Sequence, residues 1–174
     1  MLLLFASAGA AACGGERQPV AVAADRNAVL IADFARTESI AQLAALAAPR
    51  RPDARPDTRF APAELTVWEV SGTLRTIAKD PDGNYRLVIA DPDQPELTLV
   101  AVAPDPACTA GSRFSANILA VRHALDRTFG PFSQLAPDRP VTATGIGFFS
   151  AAGSAAGAAP NGFELAPLIG VAFP

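Results

Sequence analysis

The sequence predicts a mainly β fold, a small closed barrel of five short strands with one α-helix between the third and the fourth. Three observations lead there. Sixteen Pro and 13 Gly in 174 residues break the chain into short elements. Apolar and polar residues alternate from Thr66 to Lys79, and period two is the mark of a half-buried strand. Turn chemistry recurs at Asp80-Pro81-Asp82-Gly83-Asn84 and at Asp91 to Pro95, at the spacing of a hairpin-linked meander. The length suits one modest domain plus a tail.

The first thirteen residues read as an address. Met1 to Ala12 is apolar and then small, and too short for a bilayer span of about 20 residues. It fits a secretory h-region with a small-residue cleavage site, although it lacks the usual basic n-region. Cys13, preceded by small residues and followed by Gly14-Gly15, is similar to a bacterial lipobox cysteine, with Ala10 where such motifs usually carry Leu. Lipidation of Cys13 leaves Cys108 without an intramolecular partner and makes it a small buried side chain. Secretion after an Ala-x-Ala site leaves a Cys13 to Cys108 disulfide open. Both imply export, to the periplasm, a membrane anchor or the medium.

Residues 14–62 are expected to be a partly helical or disordered linker. Asn27 to Leu46 has helical composition, but Leu30, Phe34, Ile40 and Leu43 form no continuous stripe. Pro49 to Thr58 packs three Pro and three Arg into ten residues and reads as linker, with Asp53 and Asp57 diluting any phosphate-binding patch. The folded domain is expected over 63–174. Its first strand buries Trp68, Val70 and Leu74, and Gly72 permits a bulge or bend by which one strand serves both halves of a barrel. Tyr85 to Ala90 and Glu96 to Ala103 follow as the second and third strands.

Ser112 is the expected N-cap of a helix over Arg113 to Phe129, stopped by Gly130-Pro131. Phe114, Ile118, Val121 and Leu125 share a stripe, which places His123 on the exposed face. His123 is the single histidine, so no Ser/His/Asp arrangement can be completed. After a Pro-broken loop, Val141 to Phe149 and Pro160 to Phe173 supply two more strands around the bland loop Ser150 to Ala159. Meander, helix and two strands is the order of the OB-fold, a five-stranded Greek-key barrel; a two-sheet sandwich would need more strands.

Several segments carry a further likeness. VWEVSGTL, DGNYRLVIAD, Asp105-Pro106-Ala107-Cys108, GIGFF and APNGFELAP, spread over Val67 to Leu168, make the chain similar to an uncharacterised family of bacterial secreted or envelope proteins with an OB-like domain. The resemblance implies fold and address and is nearly silent on activity. Members of that family tend to carry His where this chain has Arg86, an Asp-x-x-His-Gly-Gln-like stretch where it has Ser150 to Ala155, and His where it has Ala166. A histidine-dependent activity or metal site of such a family would be lost here.

Composition narrows the function. From residue 61 onward seven basic residues face eleven acids, which argues against nucleic acid as the main partner. Asp80, Asp82, Asp91 and Asp93 sit in Pro-containing turns without the spacing of a calcium loop, so no metal and no cofactor are expected. The candidate ligand-binding residues are Arg86, Asn161, Glu164 and Arg75. The expected function is a noncatalytic exported envelope module that binds a protein, peptide or glycan. The alternatives are a metal-dependent nuclease-like hydrolase built on Asp80, Asp82, Asp91, Arg75 and Arg86, or a nucleic-acid-binding OB domain using Trp68 and Tyr85.

Overall fold

The alternation that begins at Thr66 becomes β2 (Val67–Lys79), the longest strand, with Trp68, Val70, Leu74 and Ile77 turned into the core. The structure, a computed structural model, describes residues 13–15, 17–50, 55–151 and 155–174. A tight turn at Asp80 to Asn84, in which Gly83 adopts φ +86°, leads into β3 (Tyr85–Ala90), and β4 (Thr98–Ala103) completes the meander. β6 (Arg139–Phe149) and β7 (Phe163–Ala172) form the last hairpin.

Closure depends on two pairings. β2 pairs with β6 through Val67 to Leu74 and with β3 through Thr73 to Lys79, so one strand does serve both halves of the barrel. β7 then runs parallel to β4, with Val100 opposite Glu164 and Ala101 opposite Leu165. The ring β2-β3-β4-β7-β6 is that of a small OB-like barrel. The register slips between Leu74 and Thr76, two residues beyond Gly72. Gly72 serves a different need: a Cβ there would collide with the Ala90 carbonyl and the Ile89 side chain, so β2 and β3 could not lie as close with any other residue.

α3 (Ser115–Phe129) lies between β4 and β6 in the chain and buries Ile118, Val121 and Leu125, as its stripe requires. It starts three residues later than Ser112, whose hydroxyl accepts from Phe114 N in a preceding turn, and it ends at Gly130. His123 is exposed. Arg122 on the same helix is buried and donates to the carbonyls of Gly83, Ala103 and Pro104 at 3.0, 3.1 and 3.2 Å. Its guanidinium also lies 3.7 Å from the centre of the Tyr85 ring. Within the Pro-broken loop after α3, the short β5 (Gln134–Leu135) pairs with Ile77 and Ala78 of β2.

The largest departure from expectation is the segment before the barrel. Where they are described, residues 14–62 are partly helical, and they pack as an outer layer on the barrel wall. No long helix forms over Asn27 to Leu46. A 3₁₀ turn at Arg26–Leu30, β1 (Ala35–Thr37) parallel to the start of β2, and α2 (Ile40–Ala44) take its place. The physical reason is the missing stripe: Leu30 and Phe34 remain 63% and 69% exposed, whereas Ile40 and Leu43 reach the core and Ser39 with Gln42 forms a capping box that starts α2 late.

Upstream of this, α1 (Gln18–Ala21) lays Val20 over Val100, Val102, Phe148 and Ala166 on the outer wall. Two buried ion pairs strap the arm down, Arg17 with Glu64 and Arg59 with Asp25. Glu64 is fully buried and accepts four hydrogen bonds, from Arg17 Nη1 and Nη2 at 2.9 and 2.6 Å and from the backbone N–H of Phe60 and Phe149, each at 2.8 Å. The arm begins at a disulfide between Cys13 and Cys108, so Cys108 is bridged rather than an isolated buried thiol. The rest of the expected address segment, Met1 to Ala12, lies outside the described residues.

Arg17→Ala should cost about 3–5 kcal/mol in urea unfolding, because it leaves the Glu64 carboxylate buried without its cation. Arg75→Ala, which breaks an exposed pair with Asp138, should cost under about 1 kcal/mol. Tyr85 offers a second check, being the single tyrosine. Burial first, then the hydrogen bond from its hydroxyl to Asp126 at 2.8 Å, raise its pKa above the ordinary value, with Arg122 opposing. Phenol absorbance should therefore titrate above the free amino acid, and Asp126→Asn should bring the midpoint down. Since the folded value is the higher one, this contribution to stability is complete below about pH 10 and is lost as pH rises through the folded midpoint.

Candidate functional site

Strand parity assembles the site. On β3, Leu87 and Ile89 face the barrel interior, so Arg86 between Tyr85 and Leu87 faces out. The β3–β4 register sets Arg86 opposite Val102, and the β4–β7 register, continued two residues beyond Val100 and Glu164, brings Ala166 level with Val102. One outward row therefore crosses three strands, and Glu164 stands two residues from its end. The β2–β3 turn contributes Asp80, Asp82 and Asn84 from above, and the arm contributes Gln18 and Val22 as a side wall. Between them lies a cavity of about 220 Å³, with Phe148 and Ser150 at its far side.

The polar groups in this pocket differ in how far they are already engaged. Asp80 accepts from the N–H and the side-chain amide of Asn84 at 2.9 and 3.0 Å, and Asn84 Oδ1 accepts from Asp105 N at 3.0 Å, so these two residues build the turn. Glu164 is buried to 8% exposure. Arg86 is half-buried and, although three carboxylates line the same pocket, makes no ion pair or hydrogen bond within the described residues. The arrangement presents a guanidinium fork beside carboxylate acceptors. It can hold a ligand that has both acceptor and donor groups, and it contains no imidazole or thiol to activate one.

Of the four residues singled out in the sequence, Arg86 and Glu164 meet here and the other two do not. Asn161 donates through its side-chain amide to the carbonyls of Leu43 and Leu46 at 2.9 and 3.0 Å, closing the C-terminal end of α2, while its Oδ1 accepts from Phe163 N. Arg75 pairs with Asp138 on the surface. Asp91, a member of the nuclease-like set, accepts from Ala41 N at the start of α2 and from Asp93 N and Gln94 N in its own turn. Only Asp80, Asp82 and Arg86 of that set share a cavity, and no group of three His, Cys, Asp or Glu able to hold a metal occurs among the described residues. Trp68 is buried in the core and donates to Ala63 O at 2.9 Å.

Sequence reasoning missed Gln18 and Val22, because Pro19 to Ala24 is Val- and Ala-rich without a period that marks an interface. In the sequence Asp80 and Asp82 stand out as turn formers and as members of the nuclease-like set, and Asn84 as a turn former alone. Arg86, Ser150 and Ala166 all line the pocket. Residues 152–154 of the Ser150 to Ala155 stretch lie outside the described residues. No family model, curated protein or solved structure matches the chain.

Proposed function

We propose that this chain is a noncatalytic, exported OB-like module that binds a peptide or glycan of the cell envelope in the pocket around Arg86. The observation that carries the reading is position: the pocket opens on the face of the second and third barrel strands, between the loops that join strands one to two and four to five. OB barrels take oligosaccharides and oligonucleotides at that place. Arg86, without an ion pair or hydrogen bond among the described residues and with carboxylates beside it, suits a ligand rich in hydroxyl and amide groups, and the missing imidazoles argue for binding over turnover.

Binding is preferred to nuclease-like hydrolysis because Asp91 and Arg75 are engaged elsewhere. It is preferred to nucleic-acid binding because carboxylates outnumber Arg86 in the pocket and Trp68 is not on the surface. Export draws support from the Cys13 to Cys108 disulfide, since such bonds persist in oxidising compartments.

Titration of isotope-labelled protein with soluble peptidoglycan fragments should shift NMR resonances of Asp82, Arg86 and Val102 and leave α3 unmoved. Arg86→Ala should weaken that binding about tenfold or more, the scale of a charge-assisted hydrogen bond. Shifts confined to other surfaces, or none with glycans and envelope peptides alike, would refute the proposal. Protein recovered from an envelope fraction should carry the disulfide by non-reducing peptide mapping, and Cys108→Ser should cost about 2–4 kcal/mol. A thioether-linked diacylglyceryl on Cys13 would instead mark a lipoprotein.

A further inference from the structure

Successive residues of β6 point to opposite faces, and the last two serve different cavities. Phe148 borders the polar pocket, whereas Phe149 borders a second cavity of about 480 Å³ near the barrel mouth. Its walls are Leu46 and Pro49 after α2, Phe60 and Pro62 before β2, Trp68 and Phe149. The volume falls in the range of small-molecule sites.

Among the described residues two polar side chains line this cavity, and both are spent. Trp68 Nε1 donates to Ala63 O, and every nitrogen of Arg59 donates to Asp25, Glu64 O or Val20 O, so Arg59 offers its aliphatic stem. The Glu64 carboxylate accepts from the backbone N–H of two walls, Phe60 and Phe149, at 2.8 Å each and so fixes their spacing. The cavity is therefore preformed and suited to an apolar guest.

An exposed cation stands against one wall residue, Trp68. Arg36 on β1 is paired in register with Trp68 on β2, so the two side chains share a face of the sheet, and the guanidinium lies 5.5 Å from the indole centre. Arg36 is exposed and makes no ion pair or hydrogen bond within the described residues. We propose that the cavity binds the aliphatic chain of a single-chain carboxylate amphiphile, with the carboxylate on Arg36. This site is independent of the pocket around Arg86.

Trp68 is the only tryptophan, so its fluorescence reports the cavity directly. Titration with decanoate below its micellar concentration should give a saturable change at one equivalent. Arg36→Gln should weaken decanoate about threefold, the scale of an exposed ion pair, and leave decanol unchanged. Ala47→Phe, at an exposed wall position, should fill the space and abolish saturation while circular dichroism and thermal unfolding stay as in the parent chain. A linear, unsaturable response, or binding retained in Ala47→Phe, would overturn the site. Equal loss of decanol and decanoate in Arg36→Gln would overturn the carboxylate contact.

Discussion

A carboxylate with no solvent contact must be surrounded by donors, and Glu64 is surrounded by four. Two come from Arg17 in the arm, one from Phe60 just upstream in the chain and one from Phe149 at the end of β6. Three segments far apart in sequence are thereby required at one point. Arg17 is fixed in turn by the carbonyls of Thr58 and Phe149 and by the rings of Phe60 and Phe148, at 4.8 and 4.4 Å from its guanidinium carbon. Taking such a pair out of water is costly, and its hydrogen bonds offset that cost only in this one geometry. The pair therefore specifies how the arm lies more than it adds to stability, and Arg17 itself accepts a left-handed backbone, φ 48°, to serve it.

The arm changes what an OB-like wall can do. An uncovered wall of β4, β7 and β6 would expose Val100, Val102, Ala166 and Phe148 as one apolar surface. Val20 covers those residues, and Gly157 of the β6–β7 loop lies against Val88 while its carbonyl accepts from Thr98 Oγ1 at 2.9 Å. What stays open is the polar corner at Arg86. Ligand access is thus limited from two sides by the chain's own segments, and the wall is reduced from a groove to a pocket.

The barrel was legible because its first strand announces itself by alternation and the two turns of the meander by their Asp, Pro and Gly residues. The last barrel strand, expected over Pro160 to Phe173, forms as β7 (Phe163–Ala172), Trp68 is in the core and His123 is on the surface. The arm was not legible, since its partners are single charged residues. Nothing in Arg17, Arg59, Asp25 or Glu64 distinguishes a buried pair from four surface charges until the backbone brings them together. The same ambiguity divided the candidate site: Arg86 and Glu164 share an outward row by parity, whereas Asn161 closes a helix that the sequence did not place and Arg75 lies at a register slip seen only in the pairing.

The two cysteines both precede β6 and β7, and this bears on how the chain assembles. Barrel closure joins Val67 to Ile146 and Val100 to Glu164, pairings of high contact order that form slowly and leave strand edges open in the meantime. For a chain emerging N-terminus first into an oxidising compartment, Cys13 and Cys108 are both present before those last strands arrive. Their bond ties the arm to the segment after β4 while the arm's destination, the wall made by Phe148 and Ala166, is still incomplete. The cross-link then acts as a tether that shortens the search for the Glu64 clasp.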